Sequence, residues 1–86
     1  MKEFSYTITD EYGLHARPAG LLVKEVKQFQ SDCTIVRGGA SANMKGLMRV
    51  MALGVKKGET VTIQVDGPDE DAAIAALNGD IKLHFD

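Results

Sequence analysis

The residues whose type and spacing best suit chemistry are His15 and Arg17, in the run Gly13-Leu14-His15-Ala16-Arg17-Pro18-Ala19. Pro18 fits a first helical turn, because its φ is already helical and the N–H it lacks would have no acceptor there. Ala19, Leu22, Val23, Val26 and Phe29 follow at i, i+3, i+4 spacing, which predicts an amphipathic helix from about Ala16 to Gln28. His15 then stands at the helix N-terminus, beside unpaired amides and the positive end of the dipole, a place where anions bind. A neutral imidazole keeps one ring nitrogen free as a nucleophile, and a guanidinium two residues on can stabilise phosphoryl charge. The residues alone predict an anion or phosphoryl site, with Ala16 and Pro18 forming the supporting helix start.

The elements that must hold this site are legible from hydrophobic periodicity. Phe4, Tyr6 and Ile8 alternate with polar residues and predict a strand over about Lys2 to Thr9, with Asp10 to Leu14 as the loop before the helix. On the helix, Gly20, Lys24 and Lys27 share one face, read either as a positive docking face beside His15 or as ordinary solvated lysines. Cys33 and Ile35 face inward from a second strand, Gly38-Gly39 marks a tight hairpin, and Ala40 to Asn43 is a third strand. Cys33 is expected to be a core residue, since a free Cys behaves as a small hydrophobe.

Gly46 to Leu53 reads as a helix that is apolar nearly all round. Two turns on a small domain cannot bury every side, so some of Leu47, Met48 and Met51 are expected to remain exposed beside Lys45 and Arg49. That is the composition of a docking patch with a charged rim, and the alternative is a fully packed core helix. Val55 to Glu59 is a turn. Thr60 to Asp66 is a fourth strand, with Val61, Ile63 and Val65 inward.

Gly67-Pro68-Asp69-Glu70-Asp71 opens a third helix, with its acidic residues complementing the dipole. Ala73, Ile74, Leu77, Ile81 and Phe85 would be its core stripe, extending to about Leu83. Asn78-Gly79 interrupts the pattern, and 81–85 also alternates like a strand. His84 reads as a terminal surface residue. The order βαββαβα predicts an α+β fold, with an antiparallel sheet carrying its helices on one face.

Composition narrows the function. Eighty-six residues at 44% hydrophobic content support one domain (1–86) with a modest core. No apolar run approaches the ~20 residues of a membrane span, and no signal-peptide pattern is present, so a soluble, unexported, cytoplasmic protein is expected. A net charge of −2 without a basic stripe argues against nucleic acid. One Cys and two distant His give no zinc spacing, and the chain has neither a P-loop nor G-x-G-x-x-G, so no cofactor or metal is expected.

Gly13-Leu14-His15-Ala16-Arg17-Pro18-Ala19 resembles the phosphorylation-site motif of the HPr family, the histidine-containing phosphocarriers of the bacterial sugar phosphotransferase system. A second block, from Asn43 through Met44-Lys45-Gly46-Leu47-Met48-Arg49 to Val55, resembles that family's second helix and its flanks. The resemblance implies an open-faced β-sandwich of a four-stranded antiparallel sheet and three helices. It implies a phosphocarrier, not an enzyme, in which His15 accepts phosphate at Nδ1 from enzyme I and passes it to IIA domains, with Arg17 stabilising the transferred charge. Gly20, Lys24, Lys27, Lys45, Leu47, Met48, Arg49 and Met51 become the partner surface of a monomer. Gly46 stands where Gram-positive members carry a regulatory Ser, so that phosphorylation site is absent. A docking regulator, or a self-sufficient enzyme using His15 as base, are the competing readings.

Overall fold

Alternation of apolar and polar side chains along four strands gives a sheet with one dry face and one wet face. The computed structural model describes the backbone of residues 1–85 and the side chains of residues 1–79. Chain order is β1 (Lys2–Thr7), α1 (Ala16–Val26), β2 (Asp32–Arg37), β3 (Ala40–Asn43), α2 (Leu47–Ala52), β4 (Thr60–Asp66) and α3 (Glu70–Phe85). The sheet runs β1-β4-β2-β3 with every neighbouring pair antiparallel. This is the expected α+β architecture.

The register aligns the core. Phe4 lies opposite Ile63, Ile63 opposite Ile35, and Ile35 opposite Ala42, a continuous apolar row across all four strands. Ile35, Ile63, Val61 and Val65 are fully buried, as are Leu22 and Val26 of α1 and Leu77 of α3. Each such side chain contributes about 1.5–3 kcal/mol on burial, so the helices are held over the dry face by area, not by directional bonds. The wet face is laced instead by cross-strand polar pairs. Ser5 meets Thr62 at 2.9 Å, Thr7 meets Thr60 at 2.9 Å, and the Gln64 amide donates to Glu3 at 3.3 Å.

Element ends differ from the expected ones for local reasons. β1 stops at Thr7, because Ile8 exchanges hydrogen bonds with the turn before β4: its N–H donates to the Glu59 carbonyl (2.9 Å) and its carbonyl accepts from Gly58 (2.8 Å). α1 ends at Val26 and not near Gln28. Beyond Lys27, whose amide still donates to Val23, the bonds span three residues, Gln28 to Glu25 and Phe29 to Val26, and Phe29 packs only partly against the core. α3 starts at Glu70 and runs through Asn78-Gly79 to Phe85, beyond Leu83, so helix and not strand holds there. Ala73 and Leu77 are buried as expected, while the side chains of Ile81, His84 and Phe85 lie outside the described residues.

Asp69 finds a different partner from the one expected. Its carbonyl accepts the Ala73 N–H, yet its carboxylate leaves the helix for the α1–β2 connection. There Oδ2 accepts the Gln30 N–H at 2.9 Å, and Oδ1 accepts the Ser31 N–H at 2.9 Å and the Ser31 hydroxyl. Ser31 is buried, so this carboxylate satisfies an amide and a hydroxyl that water does not reach. Gly67 makes the approach possible, since a Cβ there would sit 2.6 Å from Ser31 Cα.

The Ser31 hydroxyl and then the Gln30 amide hold the Asp69 carboxyl below its ordinary value of 3.8. A carboxyl depressed in the folded state contributes stability that is complete above 3.8 and is lost as pH falls below it. Asp69→Ala therefore lowers the melting temperature at neutral pH, and the gap from wild type narrows on acidification. Thermal unfolding of both proteins from pH 7 down to pH 2 checks this; a gap that stays constant with pH excludes it.

Candidate functional site

The loop between β1 and α1 is built by one aspartate. Asp10 Oδ1 accepts the Tyr12 N–H at 2.8 Å, an Asx-turn, and the Asp10 carbonyl accepts the Gly13 N–H at 3.0 Å. Gly13 then adopts φ +68°, and a Cβ there would lie 2.4 Å from the Val55 carbonyl oxygen. The Leu14 N–H donates to that same oxygen at 3.0 Å, and the Leu14 side chain is buried. The loop is thus pressed onto the turn ahead of β4. Glu59 stiffens that turn, accepting the Lys56 N–H and an Arg37 guanidinium N–H, each at 2.7 Å. Those two donors, the Lys56 amide first, hold the Glu59 carboxyl below its ordinary value.

His15 is the N-cap residue of α1, with φ −94° and ψ 176°. Its carbonyl accepts the Ala19 N–H at 3.0 Å, but its side chain makes no capping bond. The N–H groups of Ala16 and Arg17 consequently have no intrahelical acceptor. Pro18, expected beside Ala16 as a phosphate-supporting residue, has no N–H to offer; it is buried and shapes the turn only. Arg17 and Ala16 are exposed, and Arg17 makes no ion pair or side-chain hydrogen bond among the described residues.

The imidazole is partly exposed and faces Tyr12 and Asp10. The Tyr12 ring meets it edge-on at 5.8 Å with an interplanar angle of 77°. Asp10 Oδ2 lies 3.6 Å from His15 Nε2. Sequence reasoning missed Asp10, although an Asp two residues before an aromatic-Gly pair is an Asx-turn signal. It also missed the burial of Leu14.

The candidate docking residues fall on adjoining helices, because α1 packs against α2. Leu47, Met48 and Met51 are exposed as expected, Met48 to 81%, and Arg49 is exposed beside them. Lys45 and Gly46 are half-buried at the start of α2. Leu21 and Tyr12 add exposed apolar surface that periodicity did not single out. Gly20 is half-buried, while Lys24 and Lys27 are exposed. Lys27, however, is the C-cap of α1, about 18 Å along the axis from His15, so this face does not lie beside the imidazole over its whole length. Lys24 in the last turn complements the negative end of the dipole. Cys33 is buried, its thiol donating to the Ser31 carbonyl at 3.8 Å, and burial pushes that thiol up.

The family model described as "PTS HPr component phosphorylation site" matches residues 2–82. A phosphocarrier protein HPr from Mycoplasma capricolum is 49% identical over 77 residues, spanning 90% of this chain and 86% of the relative. The solved structure of a mycoplasma histidine-containing phosphocarrier protein is similar at a TM-score of 0.91 and 46% identity, over 93% of this chain and 91% of that one. An HPr dimer from Thermoanaerobacter tengcongensis is similar at a TM-score of 0.78 and 38% identity, over 100% and 99%.

Gly13→Ala forces a side chain into the left-handed region and against the Val55 carbonyl. The variant is expected to lose about 2–5 kcal/mol of stability, the sum of a left-handed Cβ penalty and overpacking. Urea unfolding measures the loss; a change below half a kcal/mol would contradict the close approach.

Proposed function

The chain belongs to the HPr family, which carries phosphate between enzyme I and the sugar-specific IIA components of the phosphotransferase system, and from that premise we propose that His15 is its carrier residue. The protein is a phosphocarrier, not a catalyst. One observation carries the assignment to His15: the imidazole makes no capping bond and is partly exposed at the start of α1, beside Ala16 and Arg17 amides and an Arg17 guanidinium that have no partner among the described residues.

The chemistry follows from that arrangement. With Nε2 facing Asp10, Nδ1 is the nitrogen left to attack. Its lone pair forms the new N–P bond as the donor's own bond to phosphorus breaks, the electron pair of that bond leaving with the donor. Arg17 and the two amides stabilise charge on the equatorial oxygens. Phosphoryl transfer asks for little more than positioning and electrostatics.

Enzyme I and a IIA domain both need His15, so they bind one after the other on one surface. Leu47, Met48, Met51 and Leu21 supply adaptable apolar contact, and Arg49, Lys45, Lys24 and Lys27 steer acidic rims. We read the protein as a cytoplasmic monomer of one domain, a reading that size-exclusion chromatography checks against the dimeric relative. The sugar served is determined by the permease.

Incubation with phosphoenolpyruvate and catalytic enzyme I, followed by intact-mass measurement, tests the carrier assignment. One acid-labile phosphate is expected on the wild type and none on His15→Ala. Its appearance on both proteins excludes His15, and its absence from both points to a docking regulator.

A second prediction concerns the start of α2. Gly46 is the N-cap, in extended conformation, and the nearest atoms to a notional Cβ belong to the flexible Arg49 side chain, the closest at 3.4 Å. No hydroxyl is present there for a serine kinase to modify. With such a kinase and ATP the wild type gains no phosphate, whereas Gly46→Ser folds normally, within a few tenths of a kcal/mol, and supplies the missing acceptor. Mass measurement of both proteins decides; phosphate on any Ser or Thr of the wild type would contradict it.

A further inference from the structure

Asp10 serves two groups with its two carboxylate oxygens. Oδ1 accepts the Tyr12 N–H at 2.8 Å and is committed to building the loop. Oδ2 is turned toward His15 Nε2 at 3.6 Å, within ion-pair range but longer than a hydrogen bond. The Asx-turn and the Gly13 bond hold the carboxylate in place, so its direction does not depend on the imidazole. Tyr12, whose backbone Asp10 fixes, lays its ring edge-on to the same imidazole. Asp10 is itself only partly exposed, which strengthens its field at the ring relative to a fully solvated carboxylate.

We infer that Asp10 is a positioning residue for phosphoryl transfer: it keeps the proton of His15 on Nε2, so that Nδ1 is the nucleophile and the phosphorylated ring stays protonated. The inference rests on His15 being the carrier. An acceptor-only carboxylate facing Nε2 favours the tautomer with hydrogen on that nitrogen, since the alternative sets two lone pairs against each other.

When Nδ1 attacks, the Nε2 proton remains and the ring acquires positive charge, which Asp10 faces. When phosphate moves on, the N–P electron pair returns to Nδ1 and a neutral imidazole departs. Were Nε2 bare, the leaving group would be an imidazolate, far too basic to leave readily. One carboxylate thus favours both the acceptance and the release of phosphate, and no proton enters or leaves the ring in the cycle.

Asp10→Asn separates this role from loop building. Asparagine retains an Oδ1 acceptor for Tyr12 but turns an N–H₂ donor toward Nε2, which favours hydrogen on Nδ1. Two-bond ¹H–¹⁵N correlation spectra of the unphosphorylated full chain read the tautomer directly. Hydrogen on Nε2 is expected in the wild type, and a shift toward Nδ1 in the variant. Asp10→Ser, whose hydroxyl also accepts from Tyr12 but is too short to reach the ring, should relax to the tautomer mixture of free histidine.

Transfer from enzyme I to His15 should slow about tenfold in Asp10→Asn, since a wrong tautomer blocks the nucleophile. A loop-building role alone would slow transfer without moving the tautomer. Identical tautomers in all three proteins therefore overturn the inference, as does transfer in Asp10→Asn at the wild-type rate. Failure of His15 as carrier is read separately, from the mass of the wild type, and the tautomer spectra still decide the role of Asp10.

Discussion

The site depends on one close approach: the backbone of Gly13 lies against the Val55 carbonyl, with no room for a side chain between them. The Leu14 N–H donates to the same oxygen, and Ile8 exchanges two hydrogen bonds with Gly58 and Glu59. A surface loop is ordinarily mobile, because its backbone bonds go to water. Here the turn before β4 acts as a wall, Glu59 stiffens it through Lys56 and Arg37, and β4 anchors it at the centre of the sheet. Position passes from sheet to turn, from turn to loop, and from loop to imidazole.

The first helix links stability to chemistry. Ala19, Leu22, Val23 and Val26 fasten it to the core. Its N-terminus offers His15, Arg17 and two amides without an acceptor among the described residues, held in place by that burial. Preorganised donors need little rearrangement when charge arrives, the property that makes them effective toward a transferring phosphoryl group. Beyond the other end of the helix, the Asp69 carboxylate ties the connection to β2 against the start of α3, so both ends of the helical layer are pinned.

The apolar surface left on α2 has a cost and a use. Met48, Leu47 and Met51 could not all be buried by a six-residue helix, and their exposure forgoes stabilisation that a small core would otherwise collect. In the docking role proposed for this patch, flexible thioethers would provide contact that adapts to unlike surfaces.

Much of the fold was legible in the sequence, because its signals are periodic and local. Alternation marked the strands, i, i+3, i+4 spacing marked α1, glycine pairs marked the hairpin, and the Gly-Leu-His-Ala-Arg-Pro run placed His15 at a helix start. Too few positions on α2 could face the core, so its exposed methionines were legible as well. Tertiary structure alone decided which groups meet across long sequence separations. That Asp69 would leave its own helix for Ser31, and that Glu59 would brace a turn from Arg37, depends on the strand order β1-β4-β2-β3. So does the contact of Gly13 with Val55, some forty residues away in the chain. Asp10 and His15 are near in sequence, yet only the turn geometry set by that contact turns one carboxylate oxygen toward Nε2. Periodicity determines which side of an element is buried; the packing of elements determines which polar groups, left over from that burial, face one another.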